Sequence, residues 1–321
     1  MKTFALRTDL ERARVGDHWL PLGLEPVDLP APSRGYAVRE AEGPEDAPPA
    51  LRYYAVTSIE RVEALLDDLF ELLPTDVFTL LEVTSRDAIR TVDVFAADEP
   101  IPFDEFRGVL RDYRDVVIED GSISVGAESE EPAMEVVLDS WKGIDVTVPA
   151  SMRDDVERVM AAHGLEEVPE TWPSDLDERP EPPFKPREIL QLDDRECPDL
   201  DEIVFQLREA WGLELDEDTE DNLDERGRHV GRTLWDVVAI VEGADEDEPR
   251  LGYAFAWVTA GSIDEVQQMI ESRLELQDEW RFTGQWYTLD RVAFDDRPDF
   301  LQSLSPRRTY SEIHKFTSEP A

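Results

Sequence analysis

The order of apolar and polar positions along the chain predicts two blocks of mixed strands and helices. LRYYAVTS (51–58) reads as a strand. SIERVEALLDDLFELL follows, with Val62, Leu65, Leu66, Leu69, Phe70 and Leu73 at the three-and-four spacing of one helical face. Thr57 and Glu60 have capping-box spacing at its start. VFTLLEVTS and AIRTVDVFAA read as strands, and PFDEFRGVLRDY as a helix. DVVIED, SISVGAE, MEVVLDS and IDVTVPA read as further strands. A helix over SMRDDVERVMAAHGL starts at a Ser151 cap and stops at Gly164.

The second block has a simpler rhythm. REILQL reads as a strand, and PDLDEIVFQLREAWGL as a helix with Ile203, Leu207 and Trp211 on one stripe. GRTLWDVVAIVEG and RLGYAFAWVTA read as strands around the acidic turn ADEDEP. SIDEVQQMIESRLEL reads as a helix with Ser262 and Glu265 as its capping box, and QWYTLDRVAF as a last strand. That order is βαββαβ, the split arrangement of ferredoxin-like domains. The first block opens with the same order and adds strands and a helix. The expected fold is therefore α+β, with two domains built on ferredoxin-like βαββαβ units.

Proline sets the expected borders. Residues 1–50 read as an extended, proline-rich N-terminal arm, and 51–167 as an α+β domain with additional strands. VPETWPSDLDERPEPPFKPRE (168–188) reads as a linker, because its prolines deny helix and its charges oppose burial. Residues 189–321 then form the ferredoxin-like domain with a C-terminal tail. Both chain ends carry a small excess of positive charge. The tail from Ser305 to Lys315 is expected to dock, with Arg307 or Arg308 on carboxylates and Leu304, Tyr310, Ile313 and Phe316 as apolar anchors.

Charge changes the picture most. Acidic residues number 76 and basic ones 32, a net charge of -44. Lysine occurs only as Lys2, Lys142, Lys185 and Lys315, so the other basic residues are arginine. Such a charge opposes the compact state by self-repulsion. Molar salt shortens the Debye length to roughly 3 Å and removes most of that repulsion. The surface suits a salty cytoplasm, or else a basic partner. Disorder is the wrong class, because Trp 8, Phe 13 and Tyr 7 accompany periodic apolar residues. The N-terminal MKTFALRTDLERARVG is broken by charges at once, and no run approaches the roughly 18 apolar residues of a membrane helix. A cytoplasmic protein away from membranes is expected.

The candidate chemistry is thin. The single cysteine, Cys197, excludes an internal disulfide and a cysteine-based zinc site. The four histidines, His18, His163, His229 and His314, form no HExxH pair. No phosphate loop, dinucleotide fingerprint or nucleophile elbow occurs. LELDEDTEDNLDERGRHVGR (213–232) fails as a calcium loop: counting from Asp216, position six is Asp221 and position twelve is Gly227. Neither a cofactor nor a metal is therefore expected. Asp216, Glu217, Asp218, Glu220 and Asp221 become the candidate partner-binding residues, facing a basic protein rather than nucleic acid. The aromatic segment WRFTGQWYTLDRVAF reads as a core strand. The expected function is a non-catalytic, acidic protein–protein interaction module. The alternative is a salt-adapted enzyme with a carboxylate and arginine site in the cleft between domains.

If the acids adapt the protein to salt, its melting temperature rises steeply from dilute buffer to molar KCl. A flat melting temperature over that range, measured by circular dichroism, removes the salt-adaptation reading.

Overall fold

The structure, a computed structural model, describes residues 4–41, 48–173, 183–192, 197–244, 250–277, 279–305 and 310–321. It is a mixed α+β protein. In chain order the strands and helices begin with β1 (Arg14–Val15), β2 (His18–Trp19), β3 (Leu24–Pro26), β4 (Gly35–Glu40), β5 (Ala50–Val56), α1 (Ile59–Phe70), β6 (Asp76–Thr84), β7 (Val92–Ala97) and β8 (Ile101–Pro102). Then come α2 (Phe103–Glu119), β9 (Ile123–Glu130), β10 (Ala133–Leu138), β11 (Ile144–Pro149), α3 (Arg153–Ala162), β12 (Phe184–Pro186), α4 (Leu200–Trp211) and β13 (Leu213–Leu215). The last are β14 (Thr233–Gly243), β15 (Leu251–Ala260), α5 (Ile263–Glu275), β16 (Trp280–Val292) and β17 (Glu312–Pro320). Two compact units result: residues 1–83 with 94–215, and residues 84–93 with 216–321.

The first unit is organised by a sheet in the order β13-β7-β6-β9-β10-β11-β5-β4, with β8 beside β6. The pairs β4–β5, β5–β11, β11–β10, β10–β9, β9–β6 and β13–β7 all run antiparallel. One face is covered by helices. Leu51, Tyr53 and Ala55 of β5 and Val125 and Ala127 of β9 meet Val62, Leu65 and Leu69 of α1 in a single core. Each such leucine contributes roughly 1.5–3 kcal/mol relative to exposure. Phe106 of α2 packs edge-on to Phe70 at 5.2 Å and against Trp211 of α4 at 5.3 Å. Helix α4 thus belongs to the first core. Its Asp199 cap accepts the Glu202 N–H at 2.9 Å, and Gly212 stops it at φ 64.

This topology corrects several expectations. A ferredoxin-like unit needs its first and third strands side by side and parallel; here β5 lies between β11 and β4, both antiparallel to it. The second βαββαβ fails because its first helix, α4, is spent on the first core and REILQL makes only a one-residue bridge, Leu190 to Leu6. DVVIED is the last turn of α2: Val116, Val117 and Ile118 are all buried there, so packing overrides the β-branched run. Thr57 does not cap α1; Ser58 is the N-cap position, and its hydroxyl instead accepts the Trp19 N–H at 2.7 Å. Likewise α3 begins at Arg153 after a 3₁₀ turn, with no side-chain cap from Ser151. The described flanks of the proline run are tied into the first unit. Val168 N–H donates to Tyr36 O at 2.9 Å, Ser33 N–H to Thr171 O at 2.8 Å, and β12 pairs with β3. The two compact units divide at 215–216 and around 84–93.

The second unit is a sheet in the order β16-β14-β15-β17 with α5 packed on β15 and β16. Ala239, Ala254 and Ala256 keep the sheet low on the buried side, where Ile263, Val266, Ile270 and Leu274 of α5 are covered. Ser262 accepts the Glu265 N–H at 3.2 Å, as its capping spacing predicts. The C-terminal tail is more than a docked strap: from Glu312 it is strand β17, paired with β15. Tyr310 is 67 % exposed and anchors nothing, and Arg307 and Arg308 lie outside the described residues.

One arginine holds the second unit together. Arg291 of β16 is 2 % exposed. Its Nε donates to Asp87 Oδ2 at 2.8 Å, Nη1 to Asn222 Oδ1 at 3.0 Å, and Nη2 to Glu217 Oε1 at 3.1 Å. Its main-chain N–H also donates to Asp87 Oδ2, at 2.6 Å, and the guanidinium lies 5.4 Å from the Trp235 ring. Arg90 sits beside it, paired with Asp93 and Glu217 and donating to Leu289 O at 2.9 Å. Asp290 is the misfit of the cluster, pushed up to about 6 by burial and by Asp93, against the pull of Arg86 and Arg90.

Two substitutions should therefore part company. Asp87→Ala removes the carboxylate that holds both Nε and the main-chain N–H of buried Arg291, leaves only Glu217 against that charge, and should lose about 3–5 kcal/mol of stability in urea titrations. Asp290 has a raised folded-state pKa, so its contribution is present below about pH 4 and lost as the pH rises through about 6. Asp290→Asn should match or exceed the wild type at pH 7 and lose that advantage toward pH 4. Equal losses from the two variants at pH 7 would show that the cluster does not work this way.

Candidate functional site

The face of the first sheet away from the helices carries a groove of about 730 Å³. Strand alternation builds it. Register places Leu80, Gly126, Val137, Asp145, Tyr54 and Ala37 in one row across β6, β9, β10, β11, β5 and β4. The flanking row carries Glu128, Glu135, Thr147, Arg52 and Arg39. Gly126 is required for the low floor: a Cβ there would meet Val137 Cγ2 at 2.7 Å.

The wall is aromatic. Trp141, in the turn between β10 and β11, packs on Phe184 at 4.7 Å and on Trp172 at 6.2 Å. Leu20 and Leu24 lie beneath this cluster. His18 stands edge-on to Trp172 at 5.8 Å, and burial lowers its pKa to about 4, so it is neutral near pH 7. Glu119 fastens the N-terminal arm over this region, pairing with Arg12 and accepting the Leu22 N–H at 2.8 Å.

Carboxylates dominate the lining: Glu82, Glu135, Asp139, Asp145 and Glu170, against Arg39 and Arg52. Arg52 is occupied, its Nε held 2.7 Å from Asp145 Oδ2 in a forked pair. Tyr54 donates its hydroxyl to Asp139 Oδ2 at 2.6 Å, and Gly143 N–H donates to Asp139 Oδ1 at 2.9 Å. Burial raises the Asp139 pKa in spite of these two donors. Burial first, and then Asp139, hold the Tyr54 phenol well above its ordinary range. Glu135 is also raised, by burial and then by Asp145 and Glu128. Behind the turn, Lys142 adopts φ 65, is 3 % exposed, and donates from Nζ to Ile123 O at 2.7 Å. Burial lowers its pKa to about 8, opposed by Asp120, Asp139 and Glu119.

The five acids singled out in the sequence lie elsewhere, in the second unit. Asp216, Asp218, Glu220 and Asp221 are exposed. Glu217 instead turns inward to Arg90 and Arg291. Asp218 Oδ1 caps its own turn, accepting from Glu220 N–H at 2.9 Å and Asp221 N–H at 3.1 Å. Among the described residues no cluster of His, Cys, Asp and Glu is arranged to hold a metal ion, and no helix is long and apolar enough to cross a membrane. No protein-family model, no curated protein and no solved structure matches the chain. The groove residues were legible only as alternation: Arg52 and Tyr54, then Glu135, Val137 and Asp139, fall on every second position of their strands.

Glu135 gives a direct test of this electrostatic picture. Its folded-state pKa is raised, so its contribution is present below its ordinary pKa and lost as the pH rises through the raised one. Glu135→Gln should melt at a higher temperature than the wild type at pH 7, and the two should converge on acidification. Identical melting curves at both pH values would mean that the groove does not strain this carboxylate.

Proposed function

We propose that the first unit is a binding module whose groove receives an extended, positively charged segment of a partner protein. The observation that carries the reading is the lining: five carboxylates and the rings of Tyr54, Trp141 and Trp172 face two arginines, one already paired. Carboxylates attract a lysine or arginine side chain, and the indole faces add cation–π contact of about 0.5–2 kcal/mol. The raised pKa values of Glu135 and Asp139 mark charges that burial disfavours, and an incoming cation relieves them. The groove is open and within the usual size range of ligand sites, roughly 300–1,000 Å³, which suits a chain segment passing through.

The same reading takes the acid excess as adaptation to a salty cytoplasm. Long-range attraction is screened there, so short-range contact with the tryptophans decides affinity. The exposed Asp216, Asp218, Glu220 and Asp221 add a diffuse attraction for a basic partner. A second, catalytic reading is favoured by one observation, the raised pKa of half-buried Asp139 beside Tyr54. In it the alternative of a carboxylate and arginine enzyme moves into this groove, with Asp139 as a proton donor.

Tryptophan fluorescence with an arginine-rich peptide and an acidic peptide of equal length tests the proposal. The basic peptide should bind, and Trp172→Ala and Glu135→Gln should each weaken it about tenfold, or about 1.4 kcal/mol. Equal binding of both peptides, or no effect of either substitution, would overturn the reading.

A further inference from the structure

The second sheet ends in an open strand. Among the described residues β17 pairs only with β15, and no strand lies on its other side. Natural sheets blunt such edges with bulges, prolines and charges, because a regular free edge templates pairing. The opposite edge, β16, is treated that way: its register against β14 shifts twice, around Ala239, and Gly284 takes φ 92. The shift in β17 falls near its start, opposite Trp257 and Val258, and from Lys315 to Pro320 the strand is regular.

The direction of its main-chain groups follows from one hydrogen bond. Ala321 N–H donates to Leu251 O at 3.0 Å, so in an antiparallel ladder Glu319 and Thr317 also turn their groups toward β15. Phe316, Ser318 and Pro320 then turn theirs outward. Pro320 has no N–H to turn outward, so it blunts the far end of this edge and leaves Phe316 and Ser318 as the open ladder positions. On the helix side of the edge lies a second groove, lined by Met269, Ser272, Leu276 and Ile313. Leu276 is 79 % exposed, the most exposed large apolar side chain of the described residues.

We propose that β17 is a self-association edge, pairing antiparallel with β17 of a second copy of this chain about a two-fold axis at Thr317. Charge selects both the occupant and the register. With Thr317 opposite Thr317, Lys315 of each copy faces Glu319 of the other, so two opposite-charge pairs form across the axis. In the same register Phe316 and Ser318, whose main-chain groups are free, exchange hydrogen bonds with Ser318 and Phe316 of the second copy. A shift that centres the axis on Lys315 would set like charges against each other, and a shift by one residue would set outward groups against inward ones. The interface is isologous, as a closed dimer requires. Leu276 and Met269 flank the shared edge on the helix side, where each copy adds apolar cover to the other.

Sedimentation equilibrium of the full chain, in enough KCl to screen repulsion between the acidic bodies, reads the result. The wild type should show twice the 36.7 kDa of one chain. Lys315→Glu alone and Glu319→Lys alone should each raise the dimer dissociation constant roughly tenfold or more, because two attractive pairs become repulsive. The double charge swap, K315E with E319K, should restore it. Ser318→Pro removes the outward-facing N–H together with the hydroxyl that donates to Gln277 Oε1 at 3.3 Å, so Ser318→Ala is its control: the proline should abolish the dimer, the alanine should keep it, and circular dichroism and melting of both should stay those of the monomer unit. A wild type that stays at 36.7 kDa, or a dimer that keeps its affinity in both single charge swaps, overturns the proposal. Capture of an unrelated basic peptide by the edge with no self-association would overturn it as well.

Discussion

Mutual repulsion of carboxylates is the constraint on which the rest of this structure depends. With 76 acids and 32 bases the chain cannot neutralise itself, so the placement of each arginine matters. The buried ones are spent where several acids converge. Arg291 and Arg90 between them meet Asp87, Asp93 and Glu217 in the second unit. An exposed arginine, Arg52, is likewise clamped on Asp145 across the first sheet. A guanidinium suits such sites because its planar fork reaches two or three acceptors at once and loses less hydration than an ammonium. The single lysine in a comparable position, Lys142, shows the contrast: its burial lowers the pKa to about 8.

The two units use alternation differently. In the first, one face of the sheet is a shared apolar core and the other a charged floor with an aromatic wall. That division lets a stable body carry a strained site, since Glu135 and Asp139 are disfavoured as anions but sit on strands whose other side is fully packed. In the second, the buried side of the sheet is lined by small and β-branched residues such as Ala239, Ala254, Val237 and Val258, and the polar cluster around Arg291 closes the loops.

Much of the local structure was legible in the chain. The stripes of α1, α4 and α5, the Ser262 cap and the stop at Gly212 all follow from spacing. What spacing could not give was partnership. The strand-and-helix order suggested βαββαβ, yet the helix from 200 to 211 packs with Phe106 across a proline-rich gap in sequence. Arg291 shares a strand parity with Leu289, and both are buried, so a charge on a core-facing position was the readable hint of a buried ion pair. Its acceptors were not readable, because Asp87 and Glu217 are ordinary acids in a chain full of them. The groove was hidden for the same reason: its carboxylates are set apart only by the tryptophans and tyrosine that the fold brings beside them.

The pairing of Asp87 with Arg291 also bears on how the protein is made. The two residues are 204 positions apart in the chain. At synthesis rates of roughly 5–20 residues per second, the Asp87 loop emerges about 10–40 s before its arginine exists. During that interval Asp87, Asp93 and the acidic segment at 216–221 have no Arg291 to meet, and the second unit cannot close. Until its last strands are made, the Asp87 loop has only the nearby Arg90 and the ions of the medium to offset its charge.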